Sequence, residues 1–242
     1  MTTLTKFTIG ILLSLLFVSC NFDINLDSGV TGNGIVSTVE RTLDADFNQI
    51  EVSRGIDVYL TQSDTPSLKV QADENLHEII ITKIENDVLK IYAEDNIRKS
   101  ESKKIMVNIT NLNSVSATSG SDVFSTNTIK AETIKLITTS GADIEVELDA
   151  QYTILASTSG SDIKVKGSTN TLSASATSGS DIDAEGLISQ ICTAAVTSGA
   201  DISVYVKEKI TASATSGGDI KYYGNPKNTS ISDAVSGSVR KQ

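Results

Sequence analysis

Between residues 35 and 112, apolar and polar positions alternate in short bursts, the period-two signature of half-buried β-strands. The bursts predict strands from Phe47 to Ser53, Ile56 to Gln62, Ser67 to Ala72, Val88 to Ala93 and Ile105 to Thr110. Asp73 to Glu78 reads as a helical turn ahead of the apolar Ile79-Ile80-Ile81. Turn-forming residues at Ser63-Asp64-Thr65-Pro66 and Glu85-Asn86-Asp87 predict two hairpin connections. No repeat is evident in this half.

From residue 113 the alternation becomes periodic. The pattern Thr-Ser-Gly-small-Asp-Ile/Val recurs at Thr118, Thr139, Thr158, Thr177, Thr197 and Thr215, with its glycines at 120, 141, 160, 179, 199 and 217. A decayed copy follows at Val235 to Val239. The intervening segments, such as Asp181-Ile182-Asp183-Ala184-Glu185, alternate with period two, and none has a helical period over ten residues. A period near 20 without helix excludes ankyrin, tetratricopeptide and HEAT arrays, whose repeats are longer and helical. The expected fold is all-β: a right-handed parallel β-helix or β-solenoid with coils of roughly 18–21 residues, each of two or three short strands, preceded by a less regular β-rich part. The varying interval between copies disfavours the strict hexapeptide left-handed helix. The expected organisation is a lipoprotein signal peptide (1–19), a flexible tether (20–34), the irregular β part (35–112) and the repeat solenoid (113–242).

Stacking gives the motif its physics. Equivalent residues of successive parallel coils lie about 4.8 Å apart, so glycine serves where the backbone turns through positive φ, and serine or threonine can bond turn groups. Asp122, Asp143, Asp162, Asp181, Asp201 and Asp219 should form a ladder of like charges. A ladder of this kind must be solvated, hydrogen-bonded or neutralised by cations. One reading is calcium binding; the other is that each aspartate closes its own turn. The second is favoured, because calcium takes six to eight oxygens and each coil offers one regular carboxylate. No metal or other cofactor is expected.

Composition narrows the function classes. The 242-residue chain contains 32 serines and 27 threonines, two prolines and no tryptophan, and its formal net charge is −10. The acidic balance argues against nucleic-acid binding, which needs a basic patch. One histidine and two cysteines nearly exclude a zinc site built from those residues. His77, beside Leu76, reads as surface or partly packed, and Cys192 as a small core residue.

Residues 1–19 have the build of an export signal: Lys6, then the apolar run Phe7 to Val18, too short to span a membrane. The run ends in Phe17-Val18-Ser19-Cys20, which resembles a bacterial lipobox and makes Cys20 the candidate lipidation site. An ordinary secretory signal with a coincidental cysteine is the alternative. Asn21 after the cysteine would permit outer-membrane sorting under the enterobacterial rule. Lipidation would make the membrane a partner through the N-terminal lipid, on a periplasmic or surface face.

Arg54-Gly55-Ile56-Asp57-Val58-Tyr59-Leu60-Thr61-Gln62 resembles the segment that names the head GIN domain of auto-transporter adhesins, with Asp57 in place of the asparagine. Ala72-Asp73-Glu74-Asn75-Leu76, Leu89-Lys90-Ile91-Tyr92, the Ser-Gly-Ser-Asp copies and Asp219-Ile220-Lys221-Tyr222-Tyr223-Gly224-Asn225-Pro226 are similar to it as well. The resemblance covers roughly residues 40–240. It implies a β-helical envelope protein of Bacteroidetes-type bacteria and no established catalytic residues.

Three functions follow as alternatives. One is adhesion or binding, with an extracellular or envelope glycan or protein as ligand. Another is a structural envelope scaffold. The third is a β-helical polysaccharide-active enzyme, disfavoured because the aspartates recur once per coil rather than clustering as an unlike pair, and no arginine lies between Lys99 and Val239.

Overall fold

The computed structural model describes residues 29–233 and 236–242. The signal segment, Cys20, the first part of the expected tether and Val235 of the decayed copy lie outside them. The N-terminal part contains β1 (Val30–Thr31), β2 (Val36–Arg41), β3 (Gln49–Val52), β4 (Asp57–Gln62), β5 (Ser67–Asp73), β6 (Ile80–Glu85), β7 (Val88–Ala93), β8 (Ile97–Lys99) and β9 (Lys103–Ile109). The repeat part contains β10 (Ser114–Thr118), β11 (Asp122–Ser125), β12 (Ile129–Thr139), β13 (Asp143–Thr158), β14 (Asp162–Thr177), β15 (Asp181–Thr197), β16 (Asp201–Ala214), β17 (Asp219–Tyr223), β18 (Asn228–Asp233) and β19 (Ser238–Lys241). The expected helical turn is a single 3-10 turn, Glu74–Leu76.

The repeat strands pair in parallel, rung upon rung, in coils of about 19 residues and about seven turns: a β-solenoid. Each coil is not cut into two or three short strands. From β13 to β16 one strand of 14 to 17 residues runs from one Ser-Gly turn to the next. It bends where the inward-outward alternation slips phase, as at Gln151-Tyr152 and Lys207-Glu208-Lys209, where adjacent residues all face solvent. Each coil thus has a leading arm after the turn and a trailing arm before the next. Extra residues are absorbed as bulges: β15 carries a register shift against β14 between Lys164 and Gly167, where Glu185-Gly186 are both exposed.

Inward positions form aliphatic columns. Ile105, Val58, Val123, Ile144, Ile163, Ile182, Ile202, Ile220 and Val239 follow one another in register through nine rungs. All but Val239, which is partly buried against the core, are at most 2% exposed. Burying each such side chain contributes about 1.5–3 kcal/mol, so the column is the main adhesive of the stack. Cys192 is fully buried in a neighbouring column, between Leu172 and Ile210. Burial pushes its thiol pKa up to about 12, which makes it an inert core residue.

The solenoid does not begin at residue 113. Strands β3 and β4 pair in parallel with β10 and β11, so Ser53 to Asp57 occupies the same place as the later turns. Arg54 and Gly55 have φ of 62° and 72°, matching Ser119 and Gly120 at 58° and 68°. This first copy was not legible as a repeat because β5–β9 is inserted between it and the second. The insertion forms a cap. β9 is parallel to β4 but antiparallel to β5, β5 is antiparallel to β2, and β6 is antiparallel to β7, so strand direction reverses beyond the first coil.

The expected hairpin at Glu85-Asn86-Asp87 is present, with Asn86 and Asp87 at φ 52° and 64° in a two-residue turn. The one at Ser63 to Pro66 is not, because β9 lies between β4 and β5 and pairs with both. Residues 29–34, read from the sequence as the end of a tether, are tied down. β1 pairs with β8, the Gly34 N–H donates to Asp73 Oδ2 (2.9 Å), and Asn33 N–H donates to Asn75 Oδ1 (2.9 Å). Among the described residues no helix is long and apolar enough to cross a membrane.

Candidate functional site

The Ser-Gly turns are the most regular feature of the chain. Ser159 and Gly160 have φ of 61° and 65°, and the serine–glycine pairs of the other copies fall in the same region. Both central residues left-handed is the geometry of the I′ turn, which reverses a chain without splaying its arms. Glycine was expected to take the positive φ; that the preceding serine shares it was not. The fourth motif residue points inward. Ser121, Ser161 and Ser180 are fully buried, and Ser180 Oγ accepts the Thr177 N–H (3.2 Å) while donating to the Thr177 carbonyl (2.9 Å). Ser121 Oγ, of the second turn, accepts the Gly55 and Ile56 N–H groups of the first (3.0 and 3.2 Å), locking the capped coil to the next. Backbone bonds then run coil to coil, from Gly179 N–H to Ser198 O (3.1 Å) and from Asp181 N–H to Ser161 O (3.2 Å).

The aspartates form the expected ladder, and the structure extends it. Asp57, Asp122, Asp143, Asp162, Asp181, Asp201 and Asp219 stand in unbroken register. At one end Lys104 is in register beside Asp57, and at the other Ser238 Oγ donates to Asp219 Oδ1. Desolvation, then repulsion from the neighbouring rungs, raises the pKa of Asp122, Asp143 and Asp181 above the ordinary carboxyl range. Asp57 is raised by desolvation against the opposing pull of Lys103 and Lys104. Among the described residues no group of three or more His, Cys, Asp or Glu side chains converges as a metal site. Within the ladder the carboxylates are spaced one per coil along a line rather than converging on one point.

The two outer faces of the solenoid differ. The leading-arm face is charged: beside the aspartate ladder runs the column Glu145, Lys164, Asp183, with Lys166 paired to Glu147 at 3.2 Å. The trailing-arm face carries far less charge. Its outward positions run Tyr152, Ile154, Ala156, Thr158 on β13; Thr171, Ser173, Ser175, Thr177 on β14; and Ile191, Thr193, Ala195, Thr197 on β15. On β16 they continue as Lys209, Thr211, Ser213 and on β12 as Thr133, Lys135, Ile137, so Lys209 and the exposed Lys135 flank three coils, β13 to β15, that carry no charge at these positions. Tyr152, Ile154 and Ile191 are 48%, 38% and 38% exposed. A shallow groove of about 390 Å³ runs across these coils over Ala156, Ser175, Ala195 and Ser213.

A larger groove, about 1110 Å³, lies where the cap meets the solenoid. It is walled by the loop 42–48, the β6–β7 turn, the segment 110–113 and residues 130–132 of β12. His77 lies elsewhere in the cap, half-buried, with Nε2 3.0 Å from Ser37 Oγ. Arg41 Nη2 donates to the His77 carbonyl (2.6 Å) and Nη1 to the Ile80 carbonyl (2.6 Å), so this cluster fastens β2 to the cap.

Residues 46–226 match the family described as "Putative auto-transporter adhesin, head GIN domain". No curated protein matches the chain. Among solved structures, one described as a putative adhesin from Bacteroides fragilis NCTC 9343 superimposes with a TM-score of 0.82 at 21% identity, over 88% of this chain and 100% of that one. A putative adhesin from Parabacteroides merdae ATCC 43184 gives 0.67 at 22% identity, over 88% and 98%. A protein from Parabacteroides distasonis ATCC 8503 described as a putative lipid binding protein gives 0.68 at 22% identity, over 88% and 99%. At these identities the likeness is one of fold.

Proposed function

We propose that this chain, which belongs to the family of auto-transporter adhesin head GIN domains, is a cell-envelope binding protein of adhesive type that meets its partner through the trailing-arm face, where β13 to β15 present no charge. The carrying observation is the contrast between the two outer faces. In a chain with a formal net charge of −10, charge is concentrated on one arm, while the other presents rows of threonine, serine and alanine with Tyr152, Ile154 and Ile191 exposed among them. A solvated scaffold gains nothing from such segregation. A contact surface does, because desolvating hydroxyls and methyls costs far less than desolvating charges. Rungs of similar small and hydroxyl side chains also repeat every coil, so many weak contacts can act together on an extended ligand. The ligand class is a neutral glycan or protein surface of the envelope or its surroundings, and catalysis has no part in the reading.

Anchoring completes the proposal. Diacylglyceryl modification at Cys20 would place the solenoid on the outer membrane at the end of the residues that precede β1. Cys20→Ala should then move the protein from the membrane to the soluble fraction and abolish labelling by radioactive palmitate; unchanged membrane association would remove the anchor from the proposal. Accessibility to protease on intact cells tests the surface face.

The binding face is tested on an array of glycans and matrix proteins with the wild-type chain and the pair Ser173→Lys/Thr193→Glu. These two positions are adjacent in register, so the new charges can pair without unfolding the coil. Saturable binding lost in the pair variant, with melting unchanged, supports the face. A blank array with an intact fold favours the scaffold, and binding indifferent to the pair variant moves the contact elsewhere.

A further inference from the structure

We infer that the groove between the cap and the first coils is a second binding site, one that takes a basic peptide segment carrying apolar side chains. Three features lead there. The first is shape. At about 1110 Å³ the concavity exceeds the range of small-ligand pockets, roughly 300–1,000 Å³, and suits a stretch of polypeptide. The second is the floor. Leu43, Phe47 and Ala131 are partly buried against the core, so apolar surface lies at the base of a rim open to solvent. The third is charge. Asp44, Asp46, Asp87 and Glu132 line the groove and are exposed, against Lys130 as the single lining cation. The rim therefore favours a cationic occupant and repels an acidic one.

The walls are set before any ligand arrives. Asn48 N–H donates to the Asp87 carbonyl (3.1 Å), Asn113 N–H to the Asn48 carbonyl (2.7 Å), and Lys135 N–H to the Asn113 carbonyl (2.9 Å). These bonds join the loop 42–48, the β6–β7 turn, the segment 110–113 and β12 into one frame. Gln62 braces β12 from the other side: its side chain donates to Lys130 O (3.0 Å) and accepts from Lys130 N–H (2.8 Å). A preorganised wall lowers the ordering cost of binding, and an extended segment alternating lysine with leucine or phenylalanine would set apolar groups on the floor and ammonium groups at the rim. This site is separate from the trailing-arm face, and its failure would leave that proposal standing.

The test uses the full chain and a fluorescein-labelled heptapeptide, Gly-Lys-Phe-Lys-Leu-Lys-Gly, beside its counterpart with Glu for each Lys. Fluorescence anisotropy should show saturable binding of the lysine peptide that weakens with added salt, and none of the glutamate peptide. Asp44→Asn/Asp46→Asn/Asp87→Asn should weaken it about tenfold, the sum of a few surface charge contacts, at an unchanged melting temperature. Asp143→Asn/Asp162→Asn, which removes the same kind of charge from the ladder, should leave affinity unchanged. Amide shifts should move in residues 43–48, 87, 111–113 and 130–132. Absence of binding, equal binding of the two peptides, equal loss in the ladder variant, or shifts confined to the ladder would overturn the site. So would a neutral oligosaccharide that moves these amides where the peptide does not.

Discussion

Replacing Asp143 by asparagine should stabilise the solenoid, although it removes a residue of the most regular motif in the chain. Asp143 sits between Asp122 and Asp162, one rung away on each side. At about 5 Å, two carboxylates repel by roughly 0.8 kcal/mol in water and about 3 kcal/mol at an effective dielectric of 20. Asp143 is exposed, so the water value governs and must be discounted further for screening. Two neighbours then leave a gain of about 1 kcal/mol for Asp143→Asn. The structural duty of the residue survives the change: its N–H holds the Ser121 carbonyl at 3.1 Å, and the amide oxygen of asparagine can accept the Asp162 N–H that the carboxylate accepts. A gain of that size raises the midpoint of thermal unfolding by about 2–4 °C in a domain of this length. The gain should shrink in 1 M salt, where the Debye length is about 3 Å.

The pH dependence carries the same sign. The folded-state pKa values of Asp122, Asp143 and Asp181 are raised above the unfolded value, so folding binds protons at these sites. Their contribution is most favourable below the unfolded pKa of about 3.9 and is lost as pH rises through the folded values. Wild type should therefore gain stability from this source as pH falls from neutrality, and Asp143→Asn should gain less. Scanning calorimetry across pH reads both. A destabilised Asp143→Asn, or a wild-type midpoint that falls with EDTA and returns with calcium, would refute the reasoning and mean that the ladder is held by cations.

Two glycines should separate conformational need from spatial need. A Cβ on Gly160 meets nothing within 4 Å, so Gly160→Ala should cost only the left-handed strain, about 1–2 kcal/mol, less what the stiffer unfolded chain returns; a Cβ on Gly167 overlaps the Leu148 carbonyl oxygen, so urea midpoints should fall much further for Gly167→Ala. Ser178→Asn, at φ 60° in its I′ turn, should raise the midpoint slightly, because asparagine tolerates that region better than serine; a loss would mean that the serine hydroxyl does something the turn geometry does not require. Asp73 is fully buried, and although burial raises its pKa, N–H groups of Ser102, Gly34 and Glu101 outweigh that and hold it below the usual range. Asp73→Asn should cost about 2–4 kcal/mol, with amide exchange at Gly34 accelerating first. The stability Asp73 supplies is present above the ordinary carboxyl pKa and lost as pH falls through its depressed value, the reverse of the ladder.

How much of this was legible in the sequence depends on what signal each feature left. The solenoid could be read from six near-identical turns, because stacking makes every rung solve the same problem and leaves the same residues. The aspartate ladder followed from that period alone. The faces were harder. Thr171, Ser173 and Ser175 look like any polar strand residues, and only the bend at Gln151-Tyr152 in the neighbouring coil fixes which arm they decorate. The groove had no local signal, since Phe47, Asp87, Leu112 and Glu132 come from four separate segments brought together by backbone bonds.

The first coil exposes the limit most clearly. Arg54-Gly55-Ile56-Asp57-Val58 carries the glycine, the aspartate and the aliphatic residue of the motif, yet Gly55 and Gly120 are 65 residues apart where later glycines are 18 to 21 apart. A periodicity search discards that interval, while a search for the pattern glycine, any residue, aspartate, aliphatic would have kept it. The long interval has a structural cause. Any open coil end exposes unpaired N–H and C=O groups to edge association, and the chain places its reversing strands β5 and β6 between the first and second turns rather than ahead of both. Folding that cap therefore requires β4 to lie between β9 on one side and β11 on the other. The segment that resembles the family's naming motif is thus the first turn of the parallel stack, one strand inside β9, where pairing changes from parallel to antiparallel, and Asp57 is where the ladder of charge begins.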